Sequence, residues 1–185
     1  IAAEGIVKAY VDTAKKVGVV IEVNAETDFV AKNDEFQGFV ETVVNQIVDS
    51  EAADMDAFMA EAWAADTTKT VKDALVEKIA VIGENLNIRR FEKVAADNGC
   101  VVSYIHGGGR IGVLIEAEAD VVNDEIKKWS EQVLKVKATQ AKEIKARADD
   151  MGIDLSDNPP IITILRRIGL DMQQAEREAS AQAAN

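Results

Sequence analysis

Between Val17 and Val48 the apolar period of this chain switches from that of a strand to that of a helix, and no other stretch limits the fold so tightly. In KVGVVIEVN, Val17, Val19, Ile21 and Val23 alternate onto one face while Gly18, Val20, Glu22 and Asn24 take the other. From Asn33 onward Phe36, Phe39, Val40, Val43, Val44, Ile47 and Val48 recur at helical spacing. Asn33 is the expected N-cap, and Asp34 and Glu35 suit the positive end of the helix dipole. An apolar strand feeding an amphipathic helix calls for a sheet with a helix laid on it. The connection between them holds Phe29 among Thr27, Asp28, Lys32 and Asn33. Connections are usually polar, so the aromatic residue needs a reason. It is either a staple that packs the connection onto the core or an exposed wedge aimed at a partner. Periodicity does not choose between them.

Elsewhere the pattern predicts a short helix over IAAEGIVKAYVDTAKK, from Ile6, Val7, Tyr10 and Val11, and another over DMDAFMAEAWA. A third helix starts at Thr70, where Thr70 and Asp73 match a capping box, and stops at Gly83. From Leu86 to Ala117 the residues predict a three-stranded meander, NLNIRRFEKVA, CVVSYIH and RIGVLIEAEA, with Gly107 to Gly109 as the second turn. An internal echo relates VGVVIEVNA from Val17 to IGVLIEAEA from Ile111, identical at Gly, Val, Ile, Glu and Ala. It suggests two related half-domains. From Ile126 a long helix is expected to run to Gly152, and a further helix carries Ile161, Ile164, Leu165 and Ile168 on one face. The expected fold is α+β: two half-domains over 1-126, each a small antiparallel sheet packed by helices, then a helical extension over 127-185.

The 185 residues are 48% apolar and 29% charged, within the globular range. A net charge of -12 repels phosphate backbones, which argues against direct nucleic-acid binding. Cys100 is the sole cysteine, and no apolar run is long enough to span a bilayer, so a cytoplasmic, membrane-free protein is expected. The chain opens at Ile1 instead of methionine, and a segment upstream is expected.

Chemical catalysis finds little footing. His106, the sole histidine, and Cys100 have no neighbours that make a metal site or a nucleophile pair. HGGGR lacks the lysine and hydroxyl residue of a P-loop and sits between two strands, so it reads as a hairpin turn. Trp63 and Trp129 lie in helical apolar patterns and read as packing residues. No enzyme, cofactor or metal is expected, and an enzyme built on Glu26, Asp28 or His106 lacks a supporting cluster.

TDFVAKNDEF, preceded by VVIEVNAE, resembles the signature of the bacterial elongation factor Ts family. AAEG from Ala2, KIAVIGENLNIRR from Lys78 and SYIHGGGRIGVLIE from Ser103 resemble that family's core in the same order. The resemblance covers about residues 1 to 126. It implies a guanine-nucleotide exchange factor whose partner is elongation factor Tu, GDP-bound and nucleotide-free. It further implies that the motif's four residues, Thr27, Asp28, Phe29 and Val30, meet the partner, with Phe29 entering near the magnesium and phosphate end of the nucleotide site and Asp28 supporting it. Ile111 and Gly112, at the start of the last core strand, are implied to touch the same partner domain. By the resemblance, the small N-terminal helical domain with which the family usually begins is expected to be missing ahead of AAEG, and no histidine follows His106. A binding or assembly protein that holds elongation factor Tu without exchanging its nucleotide therefore stands as the alternative, and a homodimer stays open.

Overall fold

The computed structural model describes residues 4–118 and 162–169, the second range and residues 117–118 as backbone only. Strands β1 (Glu4–Asp12) and β2 (Val17–Ala25) form an antiparallel hairpin, and β5 (Asn87–Ala95) pairs with the other edge of β2. Helices α1 (Asp28–Ala31), α2 (Asp34–Asp49), α3 (Met55–Ala60) and α4 (Val71–Ile82) lie between β2 and β5 in the chain, with a small ladder of β3 (Ala62–Trp63) and β4 (Asp66–Thr70). A second hairpin, β6 (Cys100–His106) and β7 (Ile111–Glu118), is extended by β8 (Ile162–Gly169), which runs parallel to β7. Mixed α+β architecture follows.

Helix α2 shows why tertiary burial outweighs local preference. It carries six β-branched residues, which together cost at most about 4 kcal/mol of helix propensity. Its seven buried side chains, from Phe36 to Val48, bring a gross gain on the order of 10–20 kcal/mol. Asn33 Oδ1 accepts from the Glu35 and Phe36 amides at 2.8 and 3.2 Å, which satisfies two donors of the first turn. At α4 the Thr70 and Asp73 capping box is complete, and Gly83 closes the helix in the left-handed region at φ 81°.

The central strand β2 is buried on both sides. Val17, Val19, Ile21 and Val23 face a core shared with α2, α3 and α4, where Phe58 meets Phe91 edge-on at 5.4 Å and Phe39 meets Trp63 at 5.6 Å. Val20 faces the second hairpin, in a core with Val7, Ala96, Val101 and Leu114. Two glycines let the hairpins approach. A Cβ on Gly18 would stand 2.4 Å from Val101 Cγ1 and 3.3 Å from Leu114, and one on Gly112 would stand 2.3 Å from Val7 Cγ1 and 2.8 Å from Val20. The contacts are reciprocal, and the registers agree: Val7 opposes Glu22 and Tyr10 opposes Val19, as Val101 opposes Glu116 and Tyr104 opposes Val113.

Four expectations are corrected. The opening segment is a strand, because Ile6 packs toward the helical core while Val7 packs toward the second hairpin. Adjacent apolar residues on opposite faces of a strand imitate one helical stripe when both faces are covered. Trp63 ends α3's segment as a buried strand residue in β3. The meander does not form, since β5 pairs with β2 instead of β6. The residues Ile162 to Ile168, expected as helix, form β8, where ladder bonds to β7 replace intrahelical ones. The expected helix from Ile126 to Gly152, including Trp129, lies outside the described residues.

Candidate partner-binding site

The end of β2 turns into α1, a helix of four residues that isolated peptide energetics would not sustain. Its support is external. Thr27 is the N-cap, with its hydroxyl oxygen accepting from the Val30 amide at 3.4 Å. The Glu84 carboxylate accepts from the Thr27 hydroxyl at 2.7 Å and from the Thr27 amide at 3.1 Å. Beside it, Asn85 Nδ2 donates to Glu26 Oε1 at 2.6 Å. Val30 and Ala31 turn inward, and α1 packs against β1 and β2.

Phe29 points the other way and is 80% exposed, the most solvent-accessible large apolar side chain among the described residues. The staple reading is thereby overturned. Next to it, Asp28 pairs with Lys32 at 2.9 Å across one helical turn. The hydrogen bond from Lys32 and its charge hold the Asp28 carboxyl below its ordinary value, with a smaller pull from Arg110.

Arg110 reaches this corner because the second hairpin folds its turn onto β1. The Val7 amide donates to Gly109 O at 2.6 Å, and Arg110 bonds Glu4, whose ladder partner is Ala25 just before the motif. The glycine turn adopts φ of 64°, 67° and 92°, the left-handed region that glycine alone enters freely. The two predicted groups, Thr27 to Val30 and Ile111 with Gly112, are thus brought to one end of the sheets. They differ in access. Phe29 is exposed, Asp28 and Thr27 are half-buried, and Val30, Ile111 and Gly112 are buried. Exposed Gly108 and Arg110 rim the hairpin side. Cys100 is half-buried in β6, and His106 shares a hydrogen bond of 3.2 Å with Tyr104.

Sequence reading did not give Glu84 or Arg110 a place here. Glu84 lies 57 residues from Thr27, and no local pattern announces such a pairing. Glu22 is also informative: fully buried, it takes Arg90 Nε at 2.6 Å, Arg89 at 3.0 Å and Asn24 at 3.2 Å, which stiffens the strand leading into the motif.

The class that this fold and corner define is an α+β protein displaying an apolar side chain on a fixed scaffold, the arrangement of protein-docking surfaces. The sequence profile of the family described as Elongation factor TS matches residues 26–150, beyond residue 126 where the resemblance read from the motifs ends. The protein named Elongation factor Ts of Trichlorobacter lovleyi is 52% identical over 119 residues, 64% of this chain and 38% of that one. Its namesakes in Clostridium tetani and Clostridium kluyveri are 45% and 44% identical over 120 and 140 residues, or 65% and 75% of this chain and 40% and 46% of theirs. The chain belongs to the elongation factor Ts family. It spans less than half the length of the relatives it matches.

Proposed function

We propose that this chain binds elongation factor Tu and promotes release of GDP from it during translation elongation in the cytoplasm, by insertion of Phe29 beside the magnesium and phosphate end of the nucleotide site. The observation that carries the reading is the exposure of Phe29 on a knuckle fixed from both sides. A side chain of that size gains on the order of 2 kcal/mol when it leaves water for an apolar pocket. That gain is available only if the partner opens a place for it.

Exchange needs no chemical step by this chain. If the protein binds nucleotide-free partner better than GDP-bound partner, linkage requires that it weaken GDP by the same factor. Phe29 supplies the differential contact, and Asp28 leaves Lys32 or carries it along into the interface. Ile111 and Gly112, being buried, act by setting the strand start that presents Arg110. Residues 1-126 serve as the core, and the matching hairpin registers support its descent from two copies of one half-domain.

The test is stopped-flow release of a fluorescent GDP analogue from elongation factor Tu, with this chain and with Phe29→Ala. Native acceleration that the variant lacks, with unchanged melting, is the expected result. A second reading is that the chain binds elongation factor Tu without exchange, since an exposed apolar side chain such as Phe29 can bury itself on a partner whether or not nucleotide leaves. A stable complex with no faster release in the same experiment would establish that reading and remove the first.

A further inference from the structure

The segment Gly83 to Leu86 is given no partner contact in the function proposed above, yet it is anchored at both ends. Gly83 caps α4 by donating its amide to Ile79 O at 2.8 Å, and Leu86 is buried in the helical core. Between these anchors Glu84 and Asn85 reach the residues immediately before Phe29. We infer that Glu84 is a positioning residue for Phe29: its carboxylate clamps Thr27 and so keeps the short helix α1 wound with the phenyl ring in water. This rests on the Phe29 reading above.

Two geometric facts carry the inference. The carboxylate takes both donors of one residue, the Thr27 amide at 3.1 Å and its hydroxyl at 2.7 Å, so the backbone and side chain of the cap are held together. Because the hydroxyl proton is directed to Glu84, the oxygen's lone pairs are left for the Val30 amide, which it accepts at 3.4 Å. Without Glu84 the Thr27 amide and hydroxyl lose the anchor that holds them together, and the side chain is free to rotate Oγ1 away from the Val30 amide. A four-residue helix has no interior bonds to spare, so the ring would fold back onto apolar surface or sample many directions.

The test uses the full chain with Glu84→Ala, Glu84→Gln, Phe29→Ala and the double variant Glu84→Ala/Phe29→Ala. Amide hydrogen exchange read by NMR at Thr27 and Val30 is expected to quicken about ten-fold or more in Glu84→Ala, with Val43 and Ile47 in α2 unchanged. Glu84→Gln, which keeps one acceptor, falls between. In the GDP-release assay, Glu84→Ala lowers the maximal acceleration about ten-fold while melting stays close to native, and the double variant is no slower than Phe29→Ala. Unchanged exchange at Thr27 and Val30 overturns the clamp whatever the release assay gives. Faster exchange with fully native GDP release, in a protein where Phe29→Ala is inactive, overturns its role in presenting Phe29. If the native chain itself does not accelerate release, the functional reading fails, and the amide exchange alone still decides the clamp.

Discussion

Replacing Gly18 by alanine is the sharpest test of how the two hairpins are joined. The added methyl would lie 2.4 Å from Val101 Cγ1, against ordinary carbon contacts of about 3.5–4.0 Å. Val101 is itself buried and cannot swing into solvent, so more than an ångström of sheet separation must be found. Overpacking of this kind costs about 1–3 kcal/mol. Alanine stiffens the unfolded chain and returns about 0.4–1 kcal/mol, which leaves a net loss of about 1–2 kcal/mol. Urea unfolding should show that loss as a lower midpoint at unchanged slope, and thermal melting should drop by about 2–8 °C. The decisive arm is the pair. Val101→Ala alone opens a void worth about 2 kcal/mol, but in Gly18→Ala/Val101→Ala the new methyl occupies part of it. The double variant should be more stable than the sum of the singles predicts by about 1 kcal/mol or more. Additivity within about 0.3–0.5 kcal/mol would refute the argument that the Gly18 and Val101 contact sets the hairpin spacing. Gly112→Ala with Val7→Ala should repeat the pattern.

Gly38, exposed in α2 with open space where a Cβ would go, should behave oppositely: Gly38→Ala is expected to add about 0.5–1 kcal/mol in urea unfolding. Arg90→Ala should cost about 2 kcal/mol by the same measurement, because the buried Glu22 carboxylate keeps Arg89 and Asn24 but loses its bond to Arg90 Nε. At the start of α4, hydrogen bonds from the Thr70 amide and hydroxyl hold Asp73 below its ordinary value. A depressed carboxyl stabilises the fold fully above its unfolded value of 3.8 and loses that contribution as pH falls through the lower folded value. Asp73→Asn should therefore melt below native protein at neutral pH, and the difference should vanish in acid.

Much of the scaffold was legible in local pattern. The β2 alternation, the α2 stripe from Phe36 to Val48, the Thr70 box, the Gly83 stop and the glycine turn all rest on contacts within a few residues, and each stands as read. Two of the corrected expectations trace to what the local pattern cannot carry: Ile6 and Val7 imitate one helical face because the strand they form is covered on both sides, and β5 pairs with β2, which lies far back in the chain, instead of with the neighbouring β6. Apolar period reports how many faces are buried, not by what.

The same division holds at the site. The motif around Phe29 could be picked out from residue type alone, as an aromatic residue in a connection that should be polar. Whether that ring was a staple or lay in solvent depended on α1 winding so that Val30 and Ala31 took the inward places. Winding, in turn, depended on Glu84, brought to Thr27 by the length of α4 and the left-handed turn at Gly83. By itself the sequence determined the period, caps and turns, since these are settled by steric and hydrogen-bonding preferences of neighbouring residues. Only the tertiary structure decided which residues share the corner with Phe29, because a hydrogen bond between residues distant in the chain leaves no mark on the pattern near either one.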